Sequence, residues 1–176
     1  LSAPTGTAGT FTYNLLSIKE GSANGCTQTV TGSIVVTVNE LPTATIAGTT
    51  EVCLNATAPN VTFTGAAGLA PYTFTYSING GPDQVVISTG NSVTVPVPTG
   101  TAGTFVYTLV SVKDATSTGC SQAQTGSATV IVNPLPTANF NVALPACEAR
   151  LISFNDASVA NAGNLSTWQW TFGDPA

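Results

Sequence analysis

The chain has 176 residues and a formal net charge of −5, from 3 Lys and Arg against 8 Asp and Glu. Only 6% of its residues are charged, whereas about 25% is usual for a soluble domain. Because the chain contains no His, it lacks an imidazole for acid–base catalysis, for a nucleophile pair or for metal binding. Three basic side chains are too few to follow a phosphate backbone, so we expect no nucleic-acid partner. The composition also argues against an enzyme.

The chain repeats itself at an offset of 94 residues, the separation of Cys26 from Cys120. Residues 4–11 and 98–105 both read PTGTAGTF, and LPTA occurs at 41–44 and at 135–138. The same offset carries Cys53 onto Cys147. A repeat of this size is a whole domain. We therefore expect the second half of one domain at 1–40, a complete domain at 41–134 and the first half of a third at 135–176.

A half-domain cannot close its own core, so we expect this chain to be a window cut from a longer array. On that interpretation, the lack of a visible signal peptide says nothing about location. The apolar residues are mainly Val, Ala and Ile dispersed among Thr and Gly. No run of 18 apolar residues occurs, and we expect no membrane span in this segment.

Apolar and polar residues alternate along the complete repeat with a period of two, which is typical of strands with one buried face. Residues 79–82 read NGGP and provide the positive-φ positions that a hairpin turn needs. About seven strands in roughly 94 residues predict an all-β fold of tandem antiparallel β-sandwiches. Alternating or β-rich runs lie, in chain order, at 61–64, 72–78, 93–97, 104–113 and 127–133.

The repeats are joined by two short segments that contain proline, NELPT at 39–43 and NPLPT at 133–137. Proline fixes φ and biases the residue before it toward extended geometry. We expect each junction to be short and semi-rigid, unlike a flexible Gly/Ser linker. An array of such repeats would then behave as a rod.

Residues 168–174 read WQWTFGD, after Phe140 and the segment ISFNDAS at 152–158. This pattern resembles the first half of a PKD (polycystic kidney disease) domain, whose hallmark is W-x-W-x-F-G-D. Thr171 stands where that family usually has Asp, and Pro175 where it usually has Gly.

The repeat as a whole, with a Cys near its start and a Gly-Cys near its end, is similar to Ig-like or PKD-like repeats. Such repeats occur in tandem in large cell-surface proteins of Bacteroidetes, including gliding-motility adhesins. The resemblance implies secretion through the outer membrane by the type IX system. It therefore also implies an extracellular location on the cell surface.

The four cysteines, at 26, 53, 120 and 147, form the only reactive constellation in the sequence. Their spacing does not fit the C-x2-4-C pairs of a zinc site, so we expect no metal and no cofactor. We favour a structural disulfide between Cys53 and Cys120, with Cys26 and Cys147 paired to cysteines outside the chain. The alternatives are Cys26–Cys53 and Cys120–Cys147 bonds across the junctions, or free thiols. The favoured bond requires Cys53 to lie on a first strand that runs beside the last one.

The remaining candidates favour structural roles. Trp168 and Trp170 could stack on a sugar ring, but their i, i+2 spacing, matched by Phe74 and Tyr76, favours a position in a core. The 8 acidic residues are scattered and form no calcium-loop pattern, so we expect solvated surface carboxylates.

Together these features predict a non-enzymatic stalk or filament segment of a secreted bacterial cell-surface adhesin. Such a segment would space and display a binding region located elsewhere. Its expected partners are neighbouring repeats of the same chain, with other surface proteins or surface glycans contacted through other regions. The alternative is an accessory spacer or carbohydrate-binding module of a secreted hydrolase.

Overall fold

The computed structural model describes residues 2–142, 150–171 and 173. Within these residues it contains β-strands and no helix, which confirms the predicted all-β class. In chain order the strands are β1 (Gly9–Lys19), β2 (Thr27–Val38), β3 (Thr43–Ala47), β4 (Thr50–Cys53), β5 (Asn60–Ala66), β6 (Thr73–Ile78), β7 (Gln84–Ile87), β8 (Ser92–Pro96), β9 (Gly103–Lys113), β10 (Ser121–Ala123), β11 (Ser127–Asn133), β12 (Phe140–Val142) and β13 (Phe154–Asp156).

Strands β3 to β11 form two sheets. One sheet has the order β4-β11-β9-β6-β7, with β10 added to β9, and the other has the order β3-β5-β8. Neighbouring strands are antiparallel, as predicted, except for β4 and β11, which run parallel. Buried side chains from both sheets belong to one hydrophobic cluster. The two sheets therefore pack face to face as a β-sandwich.

The first strand of this sandwich is split at Gly48, and its two parts join different sheets. β3 pairs with β5, whereas β4 pairs with β11. Gly48 has a φ of 119°, and a Cβ atom at this position would lie 2.4 Å from the carbonyl oxygen of Asn60. Glycine is the residue that tolerates both the positive φ and the close approach of backbone. It lets the chain cross from one sheet to the other between Ala47 and Thr50.

The core consists of the alternating aromatic and β-branched side chains. The ring of Phe63, on β5, has its centroid 5.7 Å from that of Phe74 and 4.9 Å from that of Tyr76, both on β6 of the other sheet. The ring of Tyr76 lies 5.9 Å from that of Tyr107 on β9. Aromatic contacts therefore connect the two layers. The buried apolar residues are Ala44, Val61, Phe63, Tyr72, Phe74, Tyr76, Val97, Tyr107, Leu109, Val112, Ala128, Val130 and Val132.

The connection from β6 to β7 has the positive-φ turn that residues 79–82 predict. Asn79 and Gly80 have φ values of 51° and 69°, and the Gly81 N–H donates to the Ile78 carbonyl at 2.9 Å. Positive φ at both central residues is the geometry of a type I′ hairpin turn. The Asn79 side chain also accepts a hydrogen bond of 2.7 Å from the Val106 N–H. This contact fastens the turn to β9.

Each flanking segment forms a two-stranded antiparallel ribbon, β1 with β2 and β12 with β13. In the first ribbon Tyr13 lies opposite Ile34, and in the sandwich Tyr107 of β9 lies opposite Ala128 of β11. These two pairs are separated by the same 94 residues as the sequence repeat. The β1–β2 ribbon thus shares its register with β9 and β11.

Replacing Phe74 with Ala should lower the free energy of unfolding by about 3–5 kcal/mol, because a fully buried ring between the sheets is removed. The matched control is Val85→Ala on β7, whose side chain is exposed and whose loss should change stability by no more than about 0.5 kcal/mol. Urea unfolding followed by circular dichroism measures both. Equal effects of the two substitutions would contradict the packing of β6.

Alkaline pH should destabilise the sandwich. Burial raises the pKa of Tyr76, and burial together with the neighbouring Tyr76 phenol raises the pKa of Tyr107. The folded state therefore favours neutral phenols, and this contribution is full below about pH 10 and is lost as the pH rises through the folded-state pKa. We expect the urea midpoint to fall at alkaline pH, and to fall less in the Tyr107→Phe variant. A native protein in which Tyr76 and Tyr107 ionise as readily as a free tyrosine, near pH 10, would contradict this expectation.

Candidate functional site

The described residues contain no group of three or more His, Cys, Asp or Glu side chains that could hold a metal ion. No helix in that part of the chain is long and apolar enough to span a membrane. The contacts that bear on function are instead the hydrogen bonds where the flanking segments meet the sandwich. We call the end around residues 39–44 and 114–124 the leading end, and the end around residues 51–54 and 133–136 the trailing end.

At the leading end, the first flanking segment is hydrogen-bonded to the sandwich. The Asn39 side-chain amide donates to the Thr118 hydroxyl at 2.9 Å. The backbone N–H of Ala44 donates to the Gln124 side-chain oxygen at 3.0 Å. Pro42 between them is fully buried. These contacts seat the first junction on the sandwich, and the repeat pattern alone did not identify Asn39, Thr118 or Gln124 as its partners.

At the trailing end, the last strand is hydrogen-bonded to the first. The Leu54 N–H donates to the Asn133 carbonyl at 2.8 Å, and the Asn133 side-chain amide donates to the Glu51 carboxylate at 2.5 Å. Beyond the prolines, the Asn161 side chain donates to the Leu135 carbonyl at 2.7 Å. Side chains of the two sides line a shallow cleft across this junction.

The leading and trailing ends lie at opposite ends of the sandwich. The chain before β11 contacts Ala44 through Gln124, and β11 ends at Asn133 beside Cys53. Since β4 and β11 run in the same direction, the chain enters at one end and leaves at the other. Consecutive repeats joined at these ends would therefore lie one after another.

An acidic residue of the leading end is buried, although we expected solvated carboxylates. Asp114 is only 4% exposed; its Oδ1 accepts hydrogen bonds from the Thr116 N–H and hydroxyl, while Oδ2 has no partner among the described residues. A Cβ atom on residue Gly68 would lie only 2.4 Å from Oδ2, so the backbone of this loop passes directly over the carboxylate. The surface prediction was thus wrong for Asp114, because the loop at Gly68 covers it.

The first flanking segment has the same loop without the cover. The Glu20 N–H donates to the Cys26 carbonyl at 3.1 Å, as the Asp114 N–H does to the Cys120 carbonyl at 3.0 Å. The Ser22 hydroxyl donates to the Glu20 carboxylate at 2.8 Å, and this hydrogen bond holds the pKa of Glu20 below its ordinary value.

The three cysteines that the structure describes are free thiols, and Cys147 lies outside the described residues. Cys53 does end a first strand that runs beside the last one. Cys120, however, lies at the far end of β9, in the turn to β10. β9 spans about 33 Å, whereas bridged cysteines have Cα atoms within about 7 Å. Neither the expected Cys53–Cys120 bond nor the alternative Cys26–Cys53 bond is formed. The strand register places Cys53 and Cys120 too far apart for a disulfide.

Trp168 and Trp170 lie outside the strands of the third segment. The Trp170 ring packs edge-on against Phe140, with centroids 5.4 Å apart, and contacts Phe154 at 5.9 Å. The tryptophans remain 50% and 40% exposed and line an open cavity with Phe140. Their counterparts Phe74 and Tyr76 are buried because the facing sheet packs against them through Phe63 on β5.

Comparison of the chain with protein-family models, with curated proteins and with solved structures found no match.

Oxidation should not link Cys53 to Cys120, because the two ends of the sandwich hold them too far apart. We expect both thiols to be alkylated in the folded protein, Cys53 readily because it is exposed. Peptide mass spectrometry without reduction, after treatment with oxidised glutathione, checks this. The Cys53→Ser variant is the control, since any bond made by Cys120 alone would persist in it. A Cys53–Cys120 peptide from folded monomer would contradict the strand register.

Proposed function

We propose that this chain is a stalk segment of an extracellular cell-surface protein, in which repeated sandwiches space a binding region away from the cell. The observation that carries the proposal is the placement of the two junctions at opposite ends of one closed sandwich. A domain whose neighbours attach at opposite ends extends an array by its full length. A domain whose neighbours attach at the same end would fold the array back.

The junctions favour a stiff array. Pro42 is buried against the sandwich, and Asn39 hydrogen-bonds the adjacent loop. Between Pro134 and Pro136, the Leu135 carbonyl accepts a hydrogen bond from the Asn161 side chain. Fixed proline torsions and side-chain contacts on both sides limit bending in a way that a Gly/Ser linker does not.

The composition supports an exposed extracellular role. With only 3 Lys and Arg in 176 residues, the chain presents few sites to proteases that cleave after basic residues. The proposed location on the cell surface, and secretion by the type IX system, follow from the resemblance to Bacteroidetes adhesin repeats. Expected partners are neighbouring repeats of the same chain.

A second candidate function is carbohydrate binding, as in an accessory module of a secreted hydrolase. It is favoured by the half-exposed Trp168 and Trp170, which line an open cavity together with Phe140 and Asp156. Exposed aromatic faces of this kind can stack on apolar sugar faces. Saturable binding of a polysaccharide that is lost in a Trp168→Ala variant would favour this function over the stalk.

The stalk proposal predicts that length grows in proportion to repeat number. A strand of about eight residues advances about 26 Å, and with its loops each repeat should add about 35–45 Å. Small-angle scattering on proteins with two, four and six tandem copies of residues 41–134 measures the maximum dimension. Growth with the square root of copy number, as for a flexible chain, would reject the stalk.

Proline-to-glycine variants provide the control for this measurement. Pro42→Gly and Pro134→Gly, which both lie at the junctions of these tandem copies, should both increase bending, because they release φ. Pro42→Gly should also lower the thermal midpoint, since Pro42 is buried whereas Pro134 is only half-buried. If the unaltered array already bends as much as the Pro134→Gly array, the prolines do not stiffen it.

A further inference from the structure

The pairing of β4 with β11 places Cys53 at the junction that follows the sandwich. Cys53 lies beside Asn133 in this parallel pair, and neighbouring strands are about 4.8 Å apart. Val52 and Val132, paired one residue earlier, contribute to the core. Because successive side chains of a strand point to opposite faces, Cys53 and Asn133 share the outer face of the sheet. The Cys53 thiol is exposed there.

Cys120 lies at the other junction, in a loop at residues 114–120 that we call the thiol loop. Its sulfur is 3.3 Å from the Thr118 hydroxyl, and that hydroxyl accepts the 2.9 Å hydrogen bond from the Asn39 side chain. Asn39 is the counterpart of Asn133, 94 residues earlier. By the same repeat, we expect the counterpart of Cys53 in a preceding sandwich to lie beside Asn39. Two thiols from consecutive repeats would therefore approach one another across this junction.

The second junction indicates the same approach from its other side. Cys53 lines the shallow cleft there together with side chains of the loop at 160–165, which corresponds in the repeat to residues 66–71. In the complete sandwich, that loop lies against the thiol loop, since the Leu69 carbonyl accepts a hydrogen bond of 2.8 Å from the Ala115 N–H. A complete sandwich that follows the trailing end would thus bring its own thiol loop to the side of the cleft that faces Cys53.

We propose that Cys53 of one repeat forms a disulfide with Cys120 of the repeat that follows it, across the junction between them. The pairing obeys the 94-residue period, and it joins the two cysteine positions that a single sandwich holds apart. It rests on the proposed stalk, because it requires consecutive repeats attached at opposite ends. Each repeat would then be bonded to both of its neighbours, so that the junctions are covalently closed.

The bond forms by exchange with a low-molecular-weight disulfide such as oxidised glutathione. One protein thiolate attacks a sulfur of the oxidant and releases one glutathione thiol, and the second protein thiolate then displaces the other glutathione. The oxidant's S–S bond is broken and one S–S bond is made in the protein. Two electrons pass to the oxidant, and the two thiol protons leave with the two reduced glutathione molecules. Disulfides of this kind persist in an extracellular environment.

Strand lengths disfavour the opposite pairing across a junction, Cys26 with Cys53. Cys26 comes directly before β2, whose 12 residues separate it from the first junction by about 40 Å. Cys53 lies beyond that junction, at the trailing end of the sandwich. Bridged cysteines need Cα atoms within about 7 Å, so this pairing would require the strands to come apart.

The test uses the full chain with a second copy of residues 41–134 inserted directly after the first, which creates a junction between two complete sandwiches. The test variant keeps only Cys53 of the first copy and Cys120 of the second, and every other cysteine is replaced by Ser. The matched control keeps Cys120 of the first copy and Cys53 of the second. The two variants have the same composition and the same two thiols, and they differ only in which thiols face the junction.

Peptide mass spectrometry without reduction measures the bond after each variant is equilibrated with reduced and oxidised glutathione. We expect at least about tenfold more cross-link within monomers of the test variant than of the control, because its two thiols are held at one junction at a high effective concentration. The reduced variants should share one thermal midpoint, which shows that both are folded. Equal cross-linking in the two variants, or bonds that form only between molecules, would overturn the proposal.

This result is separable from the length scaling that tests the stalk. Arrays that lengthen in proportion to repeat number while the test variant stays unlinked would retain the stalk and overturn the disulfide. Square-root growth of reduced arrays would reject the stalk whether or not the thiols cross-link. A cross-link confined to the test variant supports the disulfide.

Discussion

The contact between Phe63 and the two rings of β6 is the interaction on which the molecule depends. Phe63 belongs to one sheet, while Phe74 and Tyr76 belong to the other, and the centroids lie 4.9–5.7 Å apart. Rings at this distance add specific geometry to the burial of a large apolar area. Tyr107 extends the cluster to β9, whose length sets the distance between the leading and trailing ends. Because this core is built from residues of 41–134, in the middle of the chain, it determines where both junctions lie.

The need for two facing sheets also explains why apolar side chains are buried in residues 41–134, whereas similar side chains of the flanking segments are exposed. Segments with the sequence of a sandwich strand are present in all three parts of the chain, but among the described residues only those of 41–134 form strands in both layers. Leu15 and Trp168 have the alternation of core residues and remain about half exposed. Local pattern makes a residue suitable for a core, and a second layer is needed to bury it.

Period-two alternation and turn chemistry were sufficient to predict the all-β class, the core positions of Phe74 and Tyr76, and the turn at Asn79 and Gly80. They were insufficient where the outcome depends on distant partners. The parallel pairing of β4 with β11 arises from the change of sheet at Gly48, and a single glycine in a strand-like run does not reveal it. Asp114 is buried because a loop 46 residues earlier lies over it, and sequence spacing contains no sign of that contact. The 94-residue spacing of the cysteines was compatible with several disulfide pairings, because a repeat offset does not tell at which end of a sheet each cysteine lies.

The parallel pairing of β4 with β11 has a consequence for a chain under tension. In the proposed stalk, force would enter the sandwich through residues before β3 and leave through residues after β11, at opposite ends. Thr50 to Cys53 lie alongside Val130 to Asn133, so a pull draws the two strands lengthwise past each other. In that direction the hydrogen bonds between them are loaded together in shear, instead of opening one at a time as in a hairpin pulled from its open end. The short first strand that Gly48 diverts into the second sheet is therefore placed where it acts as a mechanical clamp.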